Sequence, residues 1–245
     1  KNCLLIFLFT LLMIASFAYF PTMLQNVYGY PVEVAGFIAL PRGLCAVAFV
    51  PVVRFLIARI GSRETATMGI LLFSMSCVLL SFFSPMVNLT NIFIVTIFQG
   101  IGLISFFIPI LDICFEGIAK ANKGDASGIF NFFRNFGTSV GNSFAATLIA
   151  HQTSVTSIQL QNFINPYARG YQYFAEQFKS MNQAVVLQFA EMSVEMNANF
   201  MGYLDLYTLL KYGLWGLAIF PLFLMVKNNE KSILRTWNSR KEING

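Results

Sequence analysis

Two charged side chains lie deep inside apolar sequence, where a charge is costly. Asp112 lies near the end of one long apolar run, and Arg134 lies near the start of the next. At about 1.5 Å per helical residue, both are roughly 9–12 Å in from the same side of a bilayer. A charge at that depth costs at least ~2.5–3.5 kcal/mol, so it usually faces a partner or a water-filled cavity. The pattern predicts that Asp112 lies within direct or water-bridged reach of Arg134 or Arg42, as a functional pair or a structural ion pair.

Arg42 lies deeper than either of these charges, about 14 Å from the opposite side. A side chain near the bilayer midplane cannot easily extend its charge to the interface. Its guanidinium therefore needs carbonyls, an acid or water, and a lysine would not replace its planar fork. Asn131 lies on the same polar helical stripe as Arg134. Arg42, Asp112, Arg134 and Asn131 are thus candidates for a substrate or proton pathway.

Composition places the chain in a membrane. Hydrophobic residues make up 56% of the 245 residues and charged residues only 11%, against about 25% charged in soluble domains. The apolar runs are longer than 18 residues, which is typical of spanning helices and too long for barrel strands. The net charge of +5 comes from basic loops, and nothing favours nucleic-acid binding. Because Lys1 leads directly into a span, we expect the chain to be a piece of a longer protein.

The sequence argues against enzyme chemistry. The four cysteines lie one in each of the first four predicted spans, which disfavours a disulfide or metal site. His151 is the only histidine and has no nearby nucleophile or orienting acid. No phosphate-binding loop is present in the sequence. We therefore expect no metal, no cofactor and no catalytic residue; a membrane-embedded enzyme would need a reactive cluster at one depth.

The chain divides into six predicted spans and an insert. The spans cover residues 3–27, 33–60, 65–84, 91–117, 126–150 and 205–226. The chain is accordingly divided into four parts. Residues 1–151 hold the first five spans, 152–203 form an extracytoplasmic insert, 204–228 hold the last span, and 229–245 form a basic tail. Lysine and arginine collect on one side of this arrangement, which predicts that both ends of the chain are cytoplasmic.

The first three spans resemble the next three in outline. Pro21 and Pro109 lie at similar depths in the first and fourth spans, as Arg42 and Arg134 do in the second and fifth. Three helices followed by three similar ones, entering from opposite sides, is the inverted-repeat pattern of secondary transporters. Chance is the alternative, because proline and glycine are common in membrane helices. Gly100, Gly102, Gly137 and Gly141 favour close helix packing.

The insert contains a second helical pattern. Apolar residues recur every three or four positions: Phe174, Phe178, Met181, Val185, Phe189, Met192, Met196 and Phe200. This spacing predicts an amphipathic helix of about 27 residues outside the membrane. Its apolar stripe needs a partner, which could be the bilayer surface, residues 155–170 or a second protein.

Four stretches of sequence resemble a known family. They read FPTMLQNVYGYPVEVAGFIALPRG, PVVRFLIARIGSRE, FQGIGLISFFIPI and ASGIFNFFRNFGTSVGNSF. Together they resemble the carboxy-terminal half of EmrB/QacA-type drug–proton antiporters, which are fourteen-span members of the major facilitator superfamily. The insert, with INPYARGYQYF, is similar to the EmrB branch. The resemblance implies an all-α membrane protein whose six helices form half of a major-facilitator fold, with the amino-terminal half absent.

The resemblance also implies a function. It implies proton-driven export of amphipathic drugs across the bacterial inner membrane by alternating access, with the proton gradient in place of a cofactor. It implies a substrate cavity between the first and fourth spans, for which the candidates are Phe17, Phe20, Gln25, Phe106, Phe107 and Asp112. It implies a periplasmic membrane-fusion adaptor that leads to an outer-membrane channel.

The sequence departs from the family in its cytoplasmic turn motif. Arg59, Gly61 and Arg63 are kept, whereas Arg54 replaces a glycine and Ala58 replaces an acid that would pair in the gate. Asp112 and Glu116 are also unusual for the family; they would either suit a cationic substrate or be particular to this protein. A nutrient or metabolite symporter on the same scaffold, and a non-transporting membrane scaffold, remain as alternatives.

Overall fold

The computed structural model describes residues 2–118, 122–161, 188–189 and 191–218, and these ranges are helical with no strand among them. The helices are α1 (Asn2–Asn26), α2 (Val32–Ala48), α3 (Val50–Ile60), α4 (Ser62–Ser81), α5 (Leu89–Phe115), α6 (Lys123–Gln161) and α7 (191–218). The predicted all-α class is confirmed for the described part of the chain.

Among the residues that the structure describes, three helices are long and apolar enough to cross a membrane. They are Cys3–Asn26 in α1, Ser62–Ser81 in α4 and Leu89–Phe115 in α5. Val32–Ala48 and Val50–Ile60 make a fourth span if the bent pair is counted as one. The described residues, which end at 218, therefore give three or four spans, and the six-span count stays a prediction.

The predicted second span is two helices that meet at a bend of 45°. Pro51 lies in the first turn of α3 and has no N–H to continue the hydrogen-bond ladder of α2. The amide of Phe49 still donates to the carbonyl of Cys45, which closes α2. Proline in this position is a usual cause of a sharp bend.

Neither predicted boundary of the insert coincides with a helix end. The sequence predicts that the fifth span ends at residue 150, but α6 continues without a break to Gln161. Its 39 residues give a length of about 58 Å, nearly twice the thickness of a bilayer core. Likewise α7 is helical from residue 191, before the predicted boundary at 203. The division into membrane and extracytoplasmic parts stays a prediction.

Much of the predicted amphipathic helix lies outside the described residues. Within the described part, residues 188–189 and 191–200 are helical. Phe189, Met192 and Met196 are exposed, whereas Phe200 is buried. Within the described part, the apolar stripe is thus exposed from Phe189 to Met196 and packed at Phe200.

Glycines let the helices approach closely, as predicted. A Cβ at Gly102 would lie 2.6 Å from the amide nitrogen of Phe73, which brings α5 against α4. A Cβ at Gly137 would lie 2.6 Å from the carbonyl oxygen of Phe7, and Gly141 touches Leu11 in the same way, which brings α6 against α1. The small-residue stripes on α5 and α6 are therefore packing surfaces.

The core is aromatic and lies where α1, α4 and α5 meet. The ring of Phe9 stacks on Phe106 with centroids 3.7 Å apart and meets the edge of Phe73 at 5.9 Å. All three side chains are almost fully buried. At the end of α1, the Tyr28 hydroxyl donates to the Ser84 carbonyl at 2.8 Å, and burial raises the pKa of Tyr28 to about 12. The hydroxyl thus stays a donor and ties two loops together at neutral pH.

Candidate functional site

Arg42 is buried where α1, α2 and α5 meet, with 8% of its surface exposed. Its Nη1 donates to the carbonyl of Phe17 and to Oε1 of Gln99, both at 3.4 Å. Its Cζ lies 3.3 Å from the centroid of the Phe17 ring, as a cation–π contact. The prediction that this guanidinium needs carbonyl or polar partners is confirmed.

A proline supplies one of these partners. In a regular helix the Phe17 carbonyl would accept from the amide four residues later, but that residue is Pro21, which has no N–H. The carbonyl is therefore free to accept from Arg42. Pro21 thus prepares an acceptor for a charge on another helix, a role that its place in the predicted repeat did not indicate.

The polar contacts continue beyond Arg42 into the bundle. Nε2 of Gln99 donates to Oγ of Ser16 at 3.1 Å, and the thiol of Cys77 lies 3.9 Å from the same oxygen. This arginine cluster, made of Ser16, Phe17, Arg42, Cys77 and Gln99, joins α1, α2, α4 and α5. Four helices therefore share one buried hydrogen-bonded network.

Two further hydroxyl groups in the bundle are buried without a hydrogen-bond partner among the described residues. The hydroxyl of Tyr207 on α7 is fully buried. The hydroxyl of Ser74, three residues before Cys77 on α4, is also buried and unpartnered. Buried polar groups are nearly always paired, so unpaired ones call for an unseen ligand or water.

The backbone of Arg42 is held by a close helix contact. A Cβ at Gly100 would collide with the carbonyl oxygen of Arg42. Gln99, beside that glycine, is at the same time the side chain that contacts the guanidinium. One turn of α5 therefore fixes both the main chain and the side chain of Arg42.

Asp112 lies in a separate pocket at the other end of α5. This acidic pocket has a volume of about 450 Å³ and is lined by Ser62, Leu111, Asp112, Phe115, Glu116 and Lys123. Asp112 and Glu116 are both exposed. Carboxylates in an open, polar pocket can exchange protons with water and attract cations.

The direct pairing predicted for Asp112 is absent. No ion pair within 4.0 Å joins it to Arg134 or Arg42 in the described ranges, because Asp112 faces the acidic pocket and Arg42 faces Phe17 and Gln99. Arg134 is half-buried on α6. Asn131 is satisfied inside its own helix, donating to the Ser127 carbonyl at 3.0 Å. A water-bridged contact for Asp112 stays a prediction.

The predicted cavity residues lie in different surroundings. Phe20 and Phe106 are packed in the core, with 0% and 1% of their surfaces exposed. Phe17, Gln25 and Phe107 are half-buried. Phe17 is the one of the five that contacts the arginine cluster directly. A role of these five residues in substrate binding stays a prediction.

The residues of the predicted gate motif have structural roles within α3 and the turn that follows it. Gly61 joins α3 to α4 with φ of +102°, which disfavours any residue with a Cβ. The Arg59 guanidinium lies over the ring of Phe55 at 4.8 Å. Neither Arg59 nor Arg63 makes an ion pair within the described part of the chain. Their gating role stays a prediction.

Sequence reasoning missed Gln99, Ser16 and Tyr207. Gln99 had a usable signal, since it lies three residues before Gly102 and so extends the small and polar stripe of α5. Ser16 and Tyr207 had none, because a lone hydroxyl in an apolar helix does not reveal which helix it faces.

Comparison with known proteins places the chain among transporters. Residues 3–142 match the family described as Major Facilitator Superfamily. The chain is 28% identical over 183 residues to multidrug export protein EmrB of Haemophilus influenzae, covering 74% of this chain and 35% of that protein. EmrB of Escherichia coli is 26% identical over 167 residues, covering 68% and 33%. The probable multidrug resistance protein EmrY of Escherichia coli is 30% identical over 148 residues, covering 60% and 29%. The chain thus spans about a third of the length of these relatives.

Proposed function

Because the chain belongs to the Major Facilitator Superfamily, we propose that it forms the carboxy-terminal half of a proton-coupled exporter of amphipathic compounds. The similarity to drug-export proteins over most of the chain is the observation that carries this proposal. Inward proton flow would drive export by alternating access, with no cofactor. The chain is a multi-pass membrane protein, and we place it in the bacterial inner membrane.

The six-span topology belongs to this proposal. We assign α6 and α7 as the fifth and sixth spans, although their polar residues lower their apolar character. The glycine contacts of α6 with α1 support this, because they cover one side of α6 with protein. Gly202 of α7 likewise lies against Thr153 and Ile149 of α6. Protein-covered helices tolerate polar residues that lipid-facing helices do not.

The two charged regions would have different duties. The arginine cluster lies in the interior of the bundle and would contact substrate or transmit its binding between helices. The acidic pocket is open and would exchange protons or capture cations at the side that we assign as cytoplasmic. Arg59, Gly61 and Arg63 would shape the cytoplasmic turn between α3 and α4.

Transport is the test of the proposed function. The full-length transporter that contains this chain, reconstituted in liposomes, is expected to move an amphipathic dye when a pH gradient is applied. The same liposomes without a gradient, or with a proton ionophore, serve as the control. Movement that ignores the gradient would contradict proton coupling, and no movement of any amphipathic probe would contradict export.

Labelling tests the topology. In the full-length transporter without its native cysteines, Lys123→Cys at the start of α6 and Ser154→Cys near its other end are expected to react with membrane-impermeant reagents from opposite sides. Reaction of both from the same side would contradict a spanning α6.

We also propose that a periplasmic membrane-fusion adaptor docks near the start of α7 and leads to an outer-membrane channel. The exposed Phe189, Met192 and Met196 support this, since an apolar stripe outside the bilayer needs a cover. Met192→Glu with Met196→Glu is expected to abolish co-purification of the adaptor. Met86→Glu, at an exposed loop methionine on the same predicted side, is the matched control. Unchanged co-purification would move the docking surface elsewhere.

A further inference from the structure

Lys211 on α7 carries a charge that no described residue neutralises. Its Nζ donates to the hydroxyl oxygen of Ser81 at 3.2 Å, and that hydroxyl donates its own hydrogen to the carbonyl of Val78 at 2.8 Å. No carboxylate in the described ranges lies within 4.0 Å of the ammonium. An ammonium has three donors, so two of them have no acceptor among the described residues.

Two aromatic rings flank this ammonium. Nζ lies 5.5 Å from the centroid of the Phe82 ring and 5.2 Å from the centroid of the Tyr212 ring. Trp215, one turn further along α7, meets Tyr212 edge-on with centroids 6.3 Å apart. Ring faces attract a cation but carry no opposite charge. They therefore position the ammonium without neutralising it.

The aromatic side chains lie on the outside of the bundle. Phe82, Tyr212 and Trp215 are 77%, 62% and 50% exposed, and Lys211 is half-buried. A ligand can therefore reach the ammonium from outside without entering the core. We call the group formed by Ser81, Phe82, Lys211, Tyr212 and Trp215 the lysine cage.

The ammonium lies at the level of a membrane face. Ser81 is the last residue of α4, which is long and apolar enough to span. Tyr28, just after α1, donates to the carbonyl of Ser84, just after α4, so these two helices end at the same face. The main chain of Lys211 lies about 12 Å inward from Tyr203, which contacts the end of α1. The lysine side chain thus runs outward from apolar surroundings to the membrane face, as long basic side chains do in bilayers.

We propose that the lysine cage binds the phosphate of a phospholipid in the leaflet that we assign as extracytoplasmic. Phosphate oxygens accept the two unused hydrogens of the ammonium in charge-assisted hydrogen bonds. Tyrosine and tryptophan suit the boundary between head groups and acyl chains, so the acyl chain lies along Tyr212 and Trp215. The inference rests on the proposed topology, and it goes beyond the proposed function because this lipid is retained by the protein and not exported.

Quenching of Trp215 fluorescence tests the proposal at the site itself. The probe is phosphatidylglycerol with brominated acyl chains, added to the delipidated full-length transporter in a non-ionic detergent, with every other tryptophan replaced by phenylalanine. A digalactosyl lipid with the same brominated chains and no phosphate is the matched probe. We expect phosphatidylglycerol to reach half-quenching at a concentration about fivefold lower than the digalactosyl lipid.

Substitutions at the lysine separate charge from fold. Lys211→Met removes the charge and keeps the side-chain length, and it is expected to raise the half-quenching concentration of phosphatidylglycerol about fivefold. Lys211→Arg keeps the charge and is expected to stay within about twofold of the unchanged protein. Arg54→Gln, which removes an equal charge from an exposed position on α3, is expected to change nothing.

Three results would overturn the proposal. The first is equal quenching by the two lipids in the unchanged protein, a comparison that does not depend on the folding of any variant. The second is displacement of phosphatidylglycerol by inorganic phosphate at equal concentration, because the cage would then be a site for free anions. The third is quenching by neither lipid, because Trp215 would then be covered by the other half of the transporter.

The inference and the proposed function fail separately. Quenching is measured in detergent without a pH gradient, so a failure of proton-driven export would not alter it. Equal quenching by the two lipids, together with gradient-driven movement of the dye, would overturn the lipid site alone.

Discussion

The middle of α5 and its C-terminal end both carry polar residues, but in opposite surroundings. In the middle, Gln99 and Gly100 are buried and hold Arg42 through its side chain and its backbone. At the end, Asp112 and Glu116 are exposed in an open pocket. Polar residues of one helix therefore lie in two different environments.

The difference shows what decides the role of a polar residue in such a helix. Asp112 and Arg42 both lie inside apolar sequence, yet only Arg42 is enclosed by neighbouring helices. Enclosure depends on where small residues allow close approach, as Gly100 and Gly102 do. The helix stays packed from these glycines to Ile110 and is exposed at Asp112 and Glu116.

The largest effect is expected from Gly100→Ala. Its Cβ would meet the backbone of Arg42, which cannot move aside as a flexible side chain would. We expect destabilisation of about 2–3 kcal/mol or more and a strong loss of folded protein. Thermal unfolding and membrane abundance measure this. Gly43→Ala, with open space around it on α2, is the control. Equal abundance of the two variants would show that close packing at Gly100 contributes no more to stability than the open position of Gly43.

Arg42→Lys is expected to come next. A lysine keeps the charge but cannot reach the Phe17 carbonyl and Gln99 with one planar group. We expect at least about a tenfold loss of proton-driven transport, from the loss of one to two charge-assisted hydrogen bonds. Arg54→Lys is the matched control. Full activity of the Arg42→Lys variant would mean that charge alone matters.

Pro21→Ala is expected to have a smaller effect that separates stability from function. Alanine restores an amide that competes with Arg42 for the Phe17 carbonyl. Helix propensity favours alanine, so folded abundance should hold or rise while transport falls by a few fold. A fall in both would show instead that the proline is needed for the shape of α1.

The smallest effect is expected from Asp112→Asn. An exposed group without an ion pair in the described ranges should change stability by less than about 0.5 kcal/mol. We expect unchanged abundance and a reduction of proton-driven efflux smaller than that of Arg42→Lys. Destabilisation as large as that of Gly100→Ala would show that Asp112 has a buried partner, and would remove the difference between the two regions.

The sequence predicted much of the fold but only part of the site. Apolar runs, with prolines and glycines near their ends, locate α1, α4 and α5 within a few residues. These signals lie within each helix and its flanking turns, so they can be recognised without knowing the tertiary packing. The depth of Arg42 correctly predicts that it needs carbonyl or polar partners. Depth alone could not predict which partners, because Gln99 and Ser16 come from helices whose relative rotation is set by packing.

The polar residues of α6 show that the predicted end of a span and the end of a helix are different boundaries. The sequence turns polar after residue 150, which predicts the end of a span, whereas the helix continues to Gln161. Where a helix ends depends on the helix propensity of its residues and on backbone hydrogen bonds. The polarity of the surroundings does not by itself end a helix. A change from lipid-compatible to water-compatible residues marks a change of environment, and a helix can pass through it.

The bend between α2 and α3 displaces the far end of α3 from the axis of α2. A helix of 11 residues is about 16 Å long, and a tilt of 45° carries its far end about 12 Å sideways. That end bears Arg59, with Phe55 and Ile60 exposed beside it. The bend therefore carries an exposed arginine and two exposed apolar side chains away from the line of α2.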